Sequence, residues 1–451
     1  MLLPPGPAPS PDLLDHFLAN PFNFLLQCQR DYGDTFSVPL GDFGATQYQA
    51  TGNWVFLTDP QHIKQLFNVK DQDAPGGEAN SILFMQLIPS RGSAVIDGVE
   101  HVDRRRALSD LVVGKHTLER FNSMILDVAE QAFREATEQQ TRAQQTRAQQ
   151  GTINLASVFR TLSHRVMERV TFGDLCDGNT ALLAENLHRF GDFGVTPQDK
   201  REILDQCLSG VESFLSSRAG CPVAHNSSDR ESYTSLLNGL SSTSDRWQPL
   251  EKEQLRDELV TLLLGGADTT ATSMSWTLVW LLKNPQAMQT LRQELTAATE
   301  DSALAELDIE QLAYLDAVVK ESSRISPMLF NSSVRLLKQP MQIGQYQLPV
   351  GTMVANCNYL VHHRADIYPE PEIFKPERFL DKKPNPHQWI PFGGGIRRCI
   401  GMGFAQHEIK LALANLLLHY DIEDAGVSDQ AAMQGSFFGP QAGVPVKLIR
   451  R

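Results

Sequence analysis

Hydrophobic positions recur at helical spacing over most of the chain. Ile409, Ala412, Leu413, Leu416 and Leu417 fall at i, i+3, i+4, i+7 and i+8, one face of an amphipathic helix. Asp257 to Leu282 is apolar around most of a helical circumference and ends at Asn284-Pro285, where proline cannot continue a helix. A helix of that kind runs through a protein interior. Glu306 to Ile325 reads as a further helix stopped by Pro327, and the pattern is helical again from about His101 to Thr171. It is interrupted at Thr141–Gln150, where Thr-Arg-Ala-Gln-Gln occurs twice in tandem. Two copies do not make a repeat architecture, which needs at least three stacked units.

Strand-like runs are short and confined to two regions. Between about Pro11 and Asp71, the turn Tyr32-Gly33-Asp34 precedes the β-branched and aromatic stretch Asn53–Thr58, which reads as a small sheet with helices. Val334 to Val354 carries further strand-like runs separated by Gly344 and Pro349-Val350-Gly351. Ser216 to Asp245, rich in Ser, Asn, Asp and Gly, reads as a polar surface connection. The expected fold class is mainly α with small β-sheets, an α+β chain.

Composition narrows the function. The 451 residues are 41% hydrophobic and 21% charged, enough apolar material for a sizeable core. A net charge of -13 opposes the attraction to phosphate on which non-specific nucleic-acid binding depends. The six cysteines are too scattered for a disulfide framework, and no Cys-x-x-Cys suggests zinc. The opening Met1-Leu2-Leu3-Pro4-Pro5-Gly6-Pro7 lacks the order of a signal peptide and the run of ~20 apolar residues of a membrane span. A cytoplasmic, soluble protein without a membrane anchor is expected.

Two constellations carry chemistry. Glycines at 393, 394, 395 and 401 bracket Cys399 and are expected to let the backbone approach a flat ligand, with a helix starting directly after. Backbone N–H groups and a helix N-terminus favour the thiolate, the form that binds metal. Cys28, Cys176, Cys207, Cys221 and Cys357 read instead as small buried hydrophobes. In the long apolar segment, Asp268 and Thr269 follow Gly265-Gly266. A buried carboxylate there is costly unless function or a local cap explains it, and a helical hydroxyl can simply bond back to a carbonyl.

Phe392, Gly395, Arg397, Cys399 and Gly401 match every position of the haem-binding signature of the cytochrome P450 family, which the chain resembles. Three further signatures follow the family's order: Gly265-Gly266-Ala267-Asp268-Thr269-Thr270, Glu321-Ser322-Ser323-Arg324 and Pro376-Glu377-Arg378-Phe379. The resemblance spans nearly the whole chain, strongest from about Leu250 to Leu418. It implies a single P450 domain over residues 1–451, with haem b between the long central helix and the loop and helix of Cys399, the axial ligand to the iron. His101, Arg105, Arg335 and Arg397 resemble the family's partners of the haem propionates, with Phe392, Gly395 and Gly401 in the haem loop. Glu321, Arg324 and Arg378 would form a buried structural triad, and Asp268 and Thr269 the acid–alcohol pair that relays protons to dioxygen.

The implied activity is a monooxygenase that takes two electrons from a separate ferredoxin-type donor and oxidises a mostly apolar small molecule such as a fatty acid, terpenoid or aromatic natural product. Oxidative coupling, peroxide-driven oxygenation and a non-enzymatic haem carrier or sensor are the alternatives. By the resemblance, substrate contacts would come from Phe84, Met85, Leu87, Leu329, Phe330, Phe437, Phe438 and the helix near Ala267, while the side chains outside that helix read equally well as core. Arg104, Arg106, Arg398 and Lys410 form a candidate docking cluster for the donor. The chain departs from the family between about Asn179 and Ser217, where a pair of lid helices has little room.

Overall fold

Glu251 and Gln254 exchange side-chain and backbone hydrogen bonds in a capping box, and from it a helix runs unbroken over Lys252–Lys283 to Asn284-Pro285. Gly265 and Gly266 do not interrupt it. The computed structural model describes residues 3–42, 46–85, 87–145, 151–173, 183, 186, 189–190, 195–217, 235–242, 246–381, 383–434 and 437–451. Cys176, Cys221 and the second copy of the tandem pentapeptide lie outside the described residues, as do most of the expected lid before Val195 and most of the polar connection. What is described of those two stretches is mostly helical. Pro197–Ser217 forms one helix of 21 residues, and Leu236–Ser241 forms a short one that buries Leu236, Leu237 and Leu240.

The helices that carry the site residues are α1 (Pro60–Phe67), α2 (Gly76–Leu83), α3 (Gly98–Val112), α4 (Leu155–Phe172), α5 (Pro197–Ser217), α6 (Lys252–Lys283), α7 (Ala313–Ile325) and α8 (Met402–His419). The chain divides into two compact units, each assembled from three separated stretches. The first takes residues 1–105, 329–373 and 383–399, and the second residues 106–328, 374–382 and 400–451.

The first unit is organised by a four-stranded sheet. Strands β1 (Thr35–Val38), β2 (Trp54–Leu57), β3 (Val334–Leu336) and β4 (Met353–Asn356) lie in the order β1-β2-β4-β3. β2 pairs antiparallel with β1 and parallel with β4, and β3 pairs antiparallel with β4 so that Arg335 stands opposite Val354. Trp54, Val55, Phe56 and Leu57 are all buried, which explains their unbroken apolar run: a strand covered on both faces has no polar alternation. Asp59 then caps α1 through the Gln61 N–H at 2.6 Å, with Pro60 at its first position.

The second unit is mainly helical, with α6 at its centre against α4, α5, α7 and α8 and two small sheets of three and two strands. The helix expected from Glu306 begins only at Ala313; two 3-10 turns, Leu304–Glu306 and Ile309–Gln311, precede it. Asp308 caps the second turn by accepting from the Glu310 N–H, so the local side chain competes with a continuous helix. On α7, Glu321 and Arg324 are fully buried and joined by two hydrogen bonds of 2.7 and 2.8 Å. Glu321 also accepts from Arg378 at 3.3 Å and from the Lys375 N–H at 2.9 Å. Removing one member of such a pair leaves an uncompensated buried charge, at a cost of about 3–5 kcal/mol. Among the described residues no helix is long and apolar enough to cross a membrane.

One buried acid in this unit has no ion partner among the described residues. Glu408 on α8 is fully buried and both its oxygens lack a hydrogen bond. Burial pushes its pKa from 4.5 up to about 8, and the Ser163 hydroxyl, near it but outside hydrogen-bond geometry, offsets this only in part. The native state therefore keeps a proton that the unfolded chain gives up. Stability from this group is fully present below the unfolded pKa and is lost as pH rises through the folded one. Glu408→Gln, which cannot titrate, should flatten the fall in thermal midpoint between about pH 6 and pH 8. Parallel curves for the two proteins in a melting series would show that Glu408 is not held neutral.

Candidate active site

The loop before Cys399 is shaped by contacts with its own unit. Gly393 and Gly395 have φ of 68° and 64°, a region that side chains rarely enter. A Cβ at Gly395 would collide with the Phe67 carbonyl oxygen, and one at Gly394 with the Phe67 ring. One at Gly393 would sit 2.6 Å from the Ser332 oxygen. Beside the expected approach to a flat ligand, these glycines serve contacts within the protein. They let the loop close against the end of α1 and the segment just before β3.

The loop closes on itself as well. The Cys399 N–H donates to the Phe392 carbonyl at 2.9 Å across a 3-10 turn at Gly395–Arg397, and Phe392 packs on Trp389. Gly401 is the residue before α8, with nothing within 4 Å of a Cβ built on it. Cys399 is exposed, whereas Cys28, Cys207 and Cys357 are buried and burial pushes their thiols to about 11, 12 and 12. Only Cys399 among these can present a thiolate readily.

The four residues expected to meet the cofactor's carboxylates lie together in the first unit. His101 and Arg105 are four apart on α3 and so share a face. Arg335 comes from β3, and Arg397 from the Cys399 loop. His101 and Arg335 are 3% and 1% exposed. Gly76, at the start of α2, backs both arginines: a Cβ there would lie 2.5 Å from Arg335 Nη1 and 3.0 Å from Arg397 Nε.

Two acids that the sequence did not single out complete the group. Arg397 Nη2 donates to Asp71 at 2.8 Å and also to Asp97. Asp97 in turn caps α2, accepting from the Gly77 and Glu78 N–H groups at 2.8 and 3.0 Å. Several donors remain without a hydrogen bond: Nε and Nη2 of Arg335, Nε and Nη1 of Arg397, and Nδ1 of His101. Buried donors left unmade are costly. Their convergence fits an anionic group with several oxygens, as haem carboxylates are. Burial, then the Arg397 charge, lowers Arg335 to about 10, and the same two causes in that order lower His101 to about 4. Burial also lowers Arg105, with the Cys399 charge opposing it.

On α6 the acid expected for proton transfer is tied to α4. Asp268 accepts from Arg160 Nε at 2.8 Å, and His164 Nε2 lies 3.1 Å from the same oxygen. Burial raises the Asp268 pKa, but the His164 hydrogen bond and the His164 and Arg160 charges outweigh it, leaving the carboxyl below the usual range. Lys200 on α5 is buried nearby, its pKa lowered by burial and by Arg160 while Asp268 opposes. Thr269 donates its hydroxyl to the Gly265 carbonyl at 2.8 Å. Gly266 lets α6 approach α4, since a Cβ there would sit 2.6 Å from Met167 Sδ. Arg160 and His164 were missed because nothing local links them to a residue more than a hundred positions on; their i, i+4 spacing gives only their common face.

One expectation needs correction. The docking cluster does not form as a basic surface. Lys410 is 1% exposed and bonded to Glu310 and Asp316 at 2.7 and 2.8 Å. Arg104 is 3% exposed and donates to the Arg91 carbonyl at 3.1 Å. Arg106 and Arg398 are exposed. Of the residues read as either substrate contacts or core, Phe330 is half-buried and packs against the core of the first unit, its ring 5.3 Å from Phe17 and 6.5 Å from Phe56. Phe438 is buried in the second, where its carbonyl accepts from Trp276 Nε1 at 2.9 Å.

The family profile "Cytochrome P450" matches residues 196–446. The chain belongs to the cytochrome P450 family. Cytochrome P450 135A1 of Mycobacterium tuberculosis is 31% identical over 462 aligned residues, covering 99% of this chain and 95% of that one. Cytochrome P450 135B1 of the same species is 30% identical over 447, covering 95% and 88%. Cyanobacterial CYP120A1, solved with retinoic acid bound, superposes with a TM-score of 0.81 at 21% identity, over 100% of this chain and 99% of that one. The fold is the cytochrome P450 fold. This P450 is an oxidoreductase of the monooxygenase type with a haem-iron cofactor.

The Asp268 pair is directly testable. Arg160→Leu should cost about 2 kcal/mol of stability, the scale of a hydrogen bond to a charged group. Asp268→Asn in the same chain should restore part of it, giving a non-zero coupling in a double-mutant cycle of denaturant midpoints. Additive single and double variants would mean that the pair does not form.

Proposed function

We propose that this P450 uses haem b, dioxygen and two electrons from a ferredoxin-type protein to hydroxylate a mostly apolar small molecule. The observation that carries the reading is the set of unmade guanidinium donors on Arg335 and Arg397 in the unit that presents Cys399. Cys399 is the proposed axial ligand, and His101, Arg105, Arg335 and Arg397 the proposed holders of the cofactor's carboxylates. Guanidinium suits that task because its planar fork makes paired contacts with carboxylates. When bound, a thiolate-ligated haem supplies oxygen activation, the thiolate favouring O–O cleavage. Residues 1–451 are read as one catalytic domain, because each unit is built from three separated stretches and neither can be excised.

Asp268 and Thr269 are the proposed proton carriers. Asp268 stays ionised between Arg160 and His164. Of these two partners only His164 can hand on a proton, since arginine does not give one up. The Thr269 hydroxyl, donating to the Gly265 carbonyl, keeps its lone pairs for a second partner. The proposed substrates are fatty acids, terpenoids and aromatic natural products; retinoic acid, which CYP120A1 binds, is a reasonable first compound.

With a compound chosen by its shift of the haem absorption band, Thr269→Ala should consume electrons while product falls and hydrogen peroxide rises. Unchanged yield per electron in the variant would rule out the relay.

A further inference from the structure

The carboxylate cradle contains an acid of its own. Asp71 has a side chain only 8% exposed; Oδ2 accepts from Arg397 and Oδ1 makes no hydrogen bond. His101 Nδ1 lies 3.8 Å from Asp71 Oδ2, too far for a hydrogen bond, and it too is without one. A buried imidazole nitrogen without a hydrogen bond therefore faces a carboxylate whose Oδ2 has only Arg397 as partner. A proton on Nδ1 and a small closing movement would give that carboxylate a second, charge-assisted bond.

The charge balance points the same way. The groups facing His101 are Arg397, Arg105, Arg335 and Asp71, with Asp97 beyond Arg397 and Arg335. Three arginines against two carboxylates disfavour a charged imidazole. Two further carboxylates from the cofactor make four anions against three cations, and a positive imidazole then restores neutrality. Donor counting agrees: a neutral imidazole has one N–H, but an imidazole that serves Asp71 with one nitrogen and a cofactor carboxylate with the other needs two.

We propose that Asp71 is a positioning residue of the haem site, which holds Arg397 in place and keeps His101 protonated once the cofactor's carboxylates are bound. The proton comes from solvent as those carboxylates enter. The inference rests on the reading that His101, Arg335 and Arg397 hold these carboxylates.

The test uses the full-length holoenzyme as its reduced carbon monoxide complex, labelled with 15N-histidine, the His101 signal being assigned by its loss in His101→Gln. The expected spectrum at neutral pH shows both His101 nitrogens protonated. In Asp71→Asn the affinity of His101 for its proton should fall at least tenfold, a shift of about one unit in its titration. Asp71→Glu should retain the imidazolium. A neutral His101 in the wild-type holoenzyme, which needs no variant to observe, overturns the proposal; so does an imidazolium unaffected by Asp71→Asn. The underlying reading is checked apart from this, by the rate of haem transfer to apomyoglobin. If Arg335→Leu and Arg397→Leu lose haem no faster than wild type, the cradle assignment itself fails, whatever the state of His101.

Discussion

Arg335 and Arg397 repel one another out of water, and that repulsion is the constraint on which the Cys399 side of this P450 depends. Each lowers the cost of the site only by finding negative charge. Asp71 and Asp97 supply part of it, and both reach Arg397 rather than Arg335. Arg335 is left with one hydrogen bond, to the Val334 carbonyl at 3.1 Å. A guanidinium so placed is expensive as a purely structural element and inexpensive beside a bound carboxylate. The same logic makes α2 part of the site: its first turn gives N–H groups to Asp97, and its first residue must be glycine to admit both arginines.

The second unit solves the opposite problem, an acid inside an apolar helix. Asp268 is made tolerable by cations brought from α4, and the close α4–α6 contact that delivers them depends on Gly266 against Met167. Packing and electrostatics are thus one feature here. Filling the Gly266 position would push α4 away and weaken the partners of Asp268 together. The Glu321–Arg324–Arg378 triad is a different case, sealed at 0% exposure for its first two members and saturated with hydrogen bonds. It anchors the turn at Pro376–Phe379 and has no donor to spare.

Local motifs were legible in the sequence because their chemistry is local. Cys399, its glycines, the Asp268-Thr269 pair and the extent of α6 could all be read from neighbours within one or two turns. Partnerships across the chain could not. Asp71 and Arg397 meet over 326 positions, and no periodicity marks Asp71 as special. Lys410 looked like a surface base because it follows the haem loop, yet α8 is buried nearly all round and Glu310 and Asp316 neutralise it from the 3-10 turn and from α7. The start of α7 was placed too early because Asp308, a capping residue, sits inside an otherwise helical pattern. The loop glycines were legible as a group, but their contact with Phe67 is invisible without the fold.

The central claim is that Cys399, as thiolate, holds the iron of the haem in this chain. It is tested most directly by the absorption spectrum of the reduced carbon monoxide complex, taken for wild type and Cys399→His. The wild-type protein should show the red-shifted Soret band of thiolate ligation, and the variant a band at shorter wavelength. An identical red-shifted band in both proteins would contradict the assignment.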